Sequence, residues 1–118
     1  KRLIKTPKIY WADTGLAMHL SGEQEPTGAH LENIVLTDLL AWRDARLAAA
    51  EVMYWRTVNG EEVDFVIEAD NKLLPIEVKT TARPRLDDAK HLVAFQAEYG
   101  RKSRATAATP RSWWTGDR

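Results

Sequence analysis

The sequence predicts a mixed α/β domain built as a helix, a three-stranded antiparallel meander and a second helix. Three observations predict it. Between residues 29 and 50, Leu31, Val35, Leu36, Leu39, Trp42 and Leu47 recur at spacings of three and four, one face of an α-helix with no glycine or proline inside it. Three runs suited to β-strands follow, at residues 52–58, 61–68 and 73–80, with the turn-forming pairs Asn59-Gly60 and Asp70-Asn71 between them. Leu86, Ala89, Leu92, Val93, Phe95 and Tyr99 then restore helical spacing, and Gly100 stands where a helix ends.

The remaining elements follow from local chemistry. Residues 8–11 read as a short extended piece. Asp13-Thr14 reads as the cap of a short helix to about Leu20, closed by Ser21-Gly22. Residues 23–28 are polar and form a loop, and residues 81–85 connect the third strand to the second helix around Pro84. Beyond Gly100, residues 101–118 carry five basic residues and one acid but no Leu, Ile, Val or Phe, so they are expected to be a disordered basic tail. The chain thus divides into a linker strand and short helix (1–22), a core (23–100) and the tail (101–118).

The 118 residues hold one domain. Its 17 Lys and Arg balance 17 Asp and Glu, which argues against a polybasic nucleic-acid binder and requires any such contact to come from a local patch. The chain has no cysteine, which excludes disulfides, thiolate metal sites and a catalytic thiol and fits a cytoplasmic location. No apolar run approaches the ~20 residues of a membrane span, so no membrane association is expected. Absence of an initiator Met suggests a piece of a longer protein. Phosphate-loop and dinucleotide-binding glycine patterns are missing. His19, His30 and His91 are scattered and read as ordinary surface or helix residues. Acid and lysine chemistry remains.

Strand alternation puts Glu62, Asp64, Val66 and Glu68 on one face of the second strand, and Val63, Phe65 and Ile67 on the other. If Asp70-Asn71 is a two-residue hairpin turn, Glu77 falls opposite Asp64 and Lys79 opposite Glu62. The same register pairs Phe65 with Ile76, Val63 with Val78 and Ile67 with Leu74, all apolar, which supports it independently. Facing carboxylates repel and need a proton, a cation or a lysine to coexist. A hard divalent cation answers that need, because Mg²⁺ favours one or two carboxylates plus water. The plain alternative is a solvated strand face with a Glu62–Lys79 ion pair. Glu32 lies at the centre of an arc containing Val35, Leu36, Leu39 and Leu40, where an acid needs a partner. The plain alternative there is a first-turn acid that favours the helix dipole.

With Asp64, Glu77-Val78-Lys79 and a helical Glu32 upstream, the chain resembles the PD-(D/E)xK nuclease superfamily. Four phrases in order sharpen this: Lys5-Thr-Pro-Lys-Ile-Tyr-Trp-Ala-Asp-Thr-Gly-Leu16, Tyr54-Trp-Arg-Thr57, Glu61-Glu-Val-Asp-Phe-Val66 and Pro75-Ile-Glu-Val-Lys79. They are similar to the uncharacterised C-terminal domain that follows the ATP-binding module of many prokaryotic AAA-type ATPases. The resemblance implies a restriction-endonuclease-like core and an Mg²⁺- or Mn²⁺-dependent nuclease acting on DNA, or on RNA, with the ATPase module upstream in the same polypeptide. It assigns Asp64 and Glu77 to the metal, Lys79 to the attacking water and Glu32 to support of the site. Val63 stands where the superfamily has proline, with Asp64 after it. A fourth strand should follow the second helix, and residues 101–110 lack the apolar residues for a strong one, so that strand is weak or missing and the core is either incomplete or completed by another chain, as in a homo-oligomer. Arg83, Arg85 and Arg56 are candidates for flanking phosphates, against an ordinary role as solvated surface charges. The competing reading is a nuclease-like fold that no longer cuts and serves as a binding or regulatory module.

Overall fold

The computed structural model describes residues 7–100 and 106–108. In chain order it comprises α1 (Thr14–Ser21), α2 (Gly28–Asp44), β1 (Ala50–Arg56), β2 (Glu62–Ala69), β3 (Lys72–Val78), a 3₁₀ turn (Leu86–Ala89), α3 (Lys90–Tyr99) and β4 (Thr106–Ala108). The strands form one sheet in the order β1-β2-β3-β4. The first three are antiparallel, and β4 runs parallel to β3 with Ile76, Glu77 and Val78 beside Thr106, Ala107 and Ala108.

Both helix starts obey the capping rules. The Asp13 carboxylate accepts the Leu16 N–H at 2.7 Å, and Gly22 closes α1 with φ +72°, a left-handed conformation that glycine adopts without strain. At α2, the Thr27 N–H donates to Nδ1 of His30, so His30 completes the helix start and also meets Glu23 at 3.1 Å. α2 ends at Asp44, several residues before the expected end near residue 50. Ala50 and Glu51 instead pair with Ala69 and Glu68, and Leu47 becomes fully exposed. Ladder bonds and the burial of Ala50 outweigh the helix propensity of an alanine-rich stretch.

The sheet is covered on both faces. Over one lies α2, with Val35 packed against Phe65, Ile67 and Ile76, flanked by Leu36, Leu39, Leu74 and Val78. Over the other lies α3, with Leu92 and Phe95 packed on Trp55, Val63 and Val66. Phe95 meets Trp55 edge-on at 5.5 Å and stacks on Tyr99 at 4.5 Å. Of the apolar positions expected on this helix, Leu86, which falls in the 3₁₀ turn that precedes α3, and Val93 and Tyr99 within α3 are exposed instead.

The β2–β3 register is the expected one from the turn as far as Phe65 opposite Ile76, with Ile67 opposite Leu74. The expected facing of Asp64 with Glu77 is not among the ladder pairs, because the ladder ends at Phe65 and Ile76. Asp70 and Asn71 both have positive φ, +52° and +58°, as a two-residue type I′ turn demands. The β1–β2 connection is a three-residue loop instead, in which Gly60 has φ +84° and Thr57 exchanges backbone bonds with Gly60 and Glu61.

One departure from alternation matters most. Met53 faces Val66 and Trp55 faces Val63, so Tyr54 alone opposes both Asp64 and Phe65. This is a β-bulge, which puts two successive residues on the same side of the strand. The expected grouping of Val63 with Phe65 is therefore corrected: Val63 and Val66 pack under α3, whereas Phe65 and Ile67 pack under α2. The expected Val63–Val78 pairing fails for the same reason. Of the weak or missing fourth strand expected, a short one is present at 106–108, and its backbone pairing with β3 requires no large apolar side chains. The rest of the tail lies outside the described residues.

Candidate functional site

The bulge turns Asp64 toward the α2 side of the sheet, at the end where β2 and β3 separate. The ladder stops at Phe65 and Ile76, and beyond it the Val78 N–H donates at 2.8 Å to Oδ2 of Asp64 rather than to a backbone carbonyl. Burial pushes the Asp64 carboxyl up to about 6, opposed by the Val78 hydrogen bond and reinforced by the charges of Glu77 and Glu32.

Glu77 is 5% exposed. Its Oε1 accepts from Nζ of Lys79 at 2.8 Å, and its Oε2 is buried with no hydrogen-bond partner. A buried carboxylate oxygen left without a donor is costly, so it marks a position suited to a cation or water. Burial alone would lower the pKa of Lys79, but the hydrogen bond and charge of Glu77, with the charges of Asp64 and Asp88, raise it overall. Lys79 therefore keeps its proton at neutral pH. The expected Glu62–Lys79 ion pair does not form, because Lys79 turns to its strand neighbour Glu77 and Glu62 is bound elsewhere.

Glu32 is the fifth residue of α2, and the first turn of that helix holds no acid, so the helix-dipole alternative falls. Its Oε1 accepts from Nζ of Lys8 at 2.9 Å and from the Tyr10 hydroxyl at 2.5 Å. Lys8 also reaches Glu62 at 2.6 Å and Asp64 at 3.8 Å, and Arg56 holds the second Glu62 oxygen at 3.0 Å. Burial would lower the Lys8 pKa, but its bonds to Glu62 and Glu32 hold it well above the ordinary lysine range. Burial and the bond to Glu32 likewise push the Tyr10 hydroxyl above its ordinary range.

Lys8, Tyr10 and Asn33 are the residues that sequence reasoning missed. Asn33 is buried in α2, accepts the Trp11 N–H at 2.8 Å, and donates to the Trp11 carbonyl at 2.9 Å and the Thr14 hydroxyl at 2.8 Å. It fastens the segment before α1 across the α2 face, beside a cavity of about 320 Å³ lined in part by Lys8, Tyr10, Glu32 and Asn33. The available signals were two: Lys8 and Tyr10 lie inside the first of the four characteristic phrases, and Asn33 is a second polar residue next to Glu32.

The structure brings Asp64, Glu77 and Lys79 into one electrostatic group and places Glu32, Glu62 and Asp64 around Lys8. Arg83 and Arg85 are exposed on the loop after Lys79, whereas Arg56 is held by Glu62. Among the described residues, no three His, Asp or Glu side chains are gathered as a ready metal cage, and no helix is long and apolar enough to cross a membrane.

Residues 27–111 match the family described as a domain of unknown function, DUF4143. The chain belongs to that family. It is also 36% identical over 94 residues to an uncharacterised protein of Mycobacterium tuberculosis and, to the same degree, to one of Mycobacterium bovis. Each alignment covers 73% of this chain and 20% of the relative, so the chain spans about a fifth of the length of the curated relatives it matches. No solved structure matches this DUF4143 domain.

Proposed function

We propose that this DUF4143 domain is an Mg²⁺- or Mn²⁺-dependent nuclease of PD-(D/E)xK type that hydrolyses phosphodiester bonds in DNA. The observation that carries the proposal is the unpartnered, buried Oε2 of Glu77, electrostatically coupled to Asp64 and bridged through Oε1 to Lys79. The donor set fits the ion: two carboxylates offer hard oxygens, and Mg²⁺ takes one or two of these with waters completing its shell. Asp64 and Glu77 would hold it, and its charge would neutralise the scissile phosphate and lower the pKa of water.

The residues of the chain supply the rest. Val78 fixes one Asp64 oxygen, and the other, Oδ1, lies 3.8 Å from the Lys8 ammonium. Because Lys79 stays protonated, it does not serve as a base; its ammonium positions the attacking water and stabilises negative charge growing on the phosphorus oxygens. Glu32 supports the site through Lys8 and Tyr10. Exposed Arg83 and Arg85 suit flanking phosphates better than Arg56, whose guanidinium is engaged by Glu62. The domain would act beside an ATPase module in the cytoplasm, and the greater length of its relatives leaves room for one.

A second reading, a module that binds or regulates without cutting, is favoured by one observation: an ammonium, from Lys8, already sits among three of the acids. Cleavage of plasmid, branched DNA and RNA with Mg²⁺ or Mn²⁺ separates the two. Wild type should cut, and Lys79→Ala and Asp64→Ala should each lose at least about 100-fold in rate, the scale of losing one charge-stabilising group. No cutting by wild type, or cutting that persists unchanged in both variants, supports the non-catalytic module.

A further inference from the structure

We infer that the outer face of residues 9–20 is a self-association surface, on which a second copy of this chain docks by antiparallel pairing of the two α1 helices. The pairing is independent of the activity proposed above.

The segment before α1 wears its apolar side outward. Exposure alternates along it: Lys8 and Tyr10 are half-buried, whereas Ile9 and Trp11 are 93% and 56% exposed. An extended segment on a domain surface ordinarily buries its apolar residues and leaves the polar ones in water. Here Lys8 and Tyr10 both bond Glu32, and Asn33 holds the N–H and the carbonyl of Trp11. The polar side chains occupy the inner face, so the apolar ones stand outside. The helix that follows repeats the arrangement. Ala17 is its buried residue, while Leu16 and Leu20, one turn apart, are 52% and 64% exposed. Ile9, Trp11 and Ala17 border one cavity of about 320 Å³, so segment and helix lie side by side. Single exposed apolar residues such as Leu47 and Val58 are ordinary, but Ile9, Trp11, Leu16 and Leu20 on adjoining elements mark an interaction surface.

Charge decides what covers it. The exposed stripe of α1 has Asp13 at its head, Leu16 in the middle and His19 with Leu20 at its foot, at spacings of three and four. Asp13 is fixed there by accepting the Leu16 N–H. Antiparallel pairing about a two-fold axis at Leu16 brings that residue against its own copy and sets Asp13 opposite the partner's His19. An acid then meets an imidazole twice, and the two helix dipoles run in opposition. Leu20 falls beside the partner's Trp11. The 17 basic and 17 acidic residues of the chain cancel, so two copies approach without net repulsion. One eight-residue helix and its flank make an interface below the roughly 1,600 Å² of a standard one, so the dimer is micromolar or weaker.

Sedimentation equilibrium of the chain over the micromolar to millimolar range should show a reversible dimer. Leu16→Glu puts like charges at the axis and should weaken it at least about 10-fold, the scale of a lost interface hot spot. Leu86→Glu, exposed on another element, should not. His19→Lys should tighten the dimer and His19→Glu should weaken it. Because the chain has no cysteine, Leu16→Cys should give a disulfide-linked dimer under diamide, and Leu86→Cys should not. A monomer throughout the range overturns the inference and leaves the face to a different protein or to another part of a longer polypeptide. A dimer that Leu16→Glu leaves intact also overturns it, since another surface then joins the copies. Equal affinity of the two His19 variants overturns the pairing of Asp13 with His19. If circular dichroism shows Leu16→Glu to be unfolded, the crosslink decides, and no linked dimer from Leu16→Cys refutes the two-fold pairing. These measurements read mass rather than cleavage, so the dimer and the nuclease proposal can fail separately.

Discussion

The two ends of the β2–β3 hairpin are built on opposite principles. At the closed end, Ala69 faces Lys72, Glu68 faces Leu73 and Ile67 faces Leu74 in an unbroken ladder, with Asp70 and Asn71 in the backbone conformations a tight turn needs. The charge contact of Arg46 with Asp70 there, at 3.3 Å, is exposed and adds little. At the open end the ladder gives way to a bulge, a carboxylate replaces a backbone acceptor, and acids crowd around two lysines. The closed end serves stability; the open end holds buried charge that a purely structural hairpin has no need of.

Four substitutions break or sharpen this contrast, and each is read by urea denaturation of the chain. Phe65 joins the two ends, since it stands in the bulge yet is buried against Val35, Ile67 and Ile76. Phe65→Ala should cost about 3–5 kcal/mol, the largest effect, through the lost packing and the cavity left behind. A cost under about 1 kcal/mol would show that the bulge is not anchored in the core.

Asp64→Asn should act in the opposite direction. The folded state holds the Asp64 proton up to about pH 6, against 3.8 for the ordinary group, so it binds more protons than the unfolded chain between those values. Stability attached to the protonated form is present below pH 3.8 and is lost as pH rises through about 6. Asparagine mimics that neutral form and can still accept the Val78 N–H. With a chelator present, the variant should match wild type near pH 3.5 and exceed it by about 2–3 kcal/mol at pH 7. Equal stability at both pH values would remove the claim that Asp64 is a strained functional acid.

Asn33→Ala should cost about 2 kcal/mol by leaving the Trp11 backbone and Thr14 hydroxyl without their partner. Hydrogen exchange should rise at residues 8–14 first, while α3 keeps its protection. The smallest change belongs to the closed end: Asn71→Gly, at φ +58°, should stabilise by roughly 0.5 kcal/mol and leave the proposed metal binding and cleavage untouched. An effect of Asn71→Gly on metal binding would mean that the two ends are not independent.

Much of this architecture was legible in the residues alone. The spacing of Leu31, Val35, Leu36 and Leu39 announces α2, and the apolar pairs Phe65–Ile76 and Ile67–Leu74 set the β2–β3 register from the turn to Phe65. Glu32 stood out because an acid in an apolar arc needs a partner. Its partners, Lys8 and Tyr10, were illegible: they lie 24 and 22 positions away, and nothing local marks a lysine in an extended segment as half-buried. The end of α2 and the strand at 106–108 were also hidden, since backbone pairing with distant strands decides both.

The sequence by itself determined the order of the first three strands and their flanking helices, the hairpin register, and the acids and lysine from which chemistry could be built. These follow from periodicities of 2 and 3.6 residues and from turn chemistry, which are local properties. Only the tertiary structure decided which way Asp64 faces, that Lys79 answers Glu77 rather than Glu62, and that Lys8 stands among three acids. A single bulge shifts every side chain beyond it to the other face, and its position is set by packing against α2 and α3 together. No local pattern records that balance.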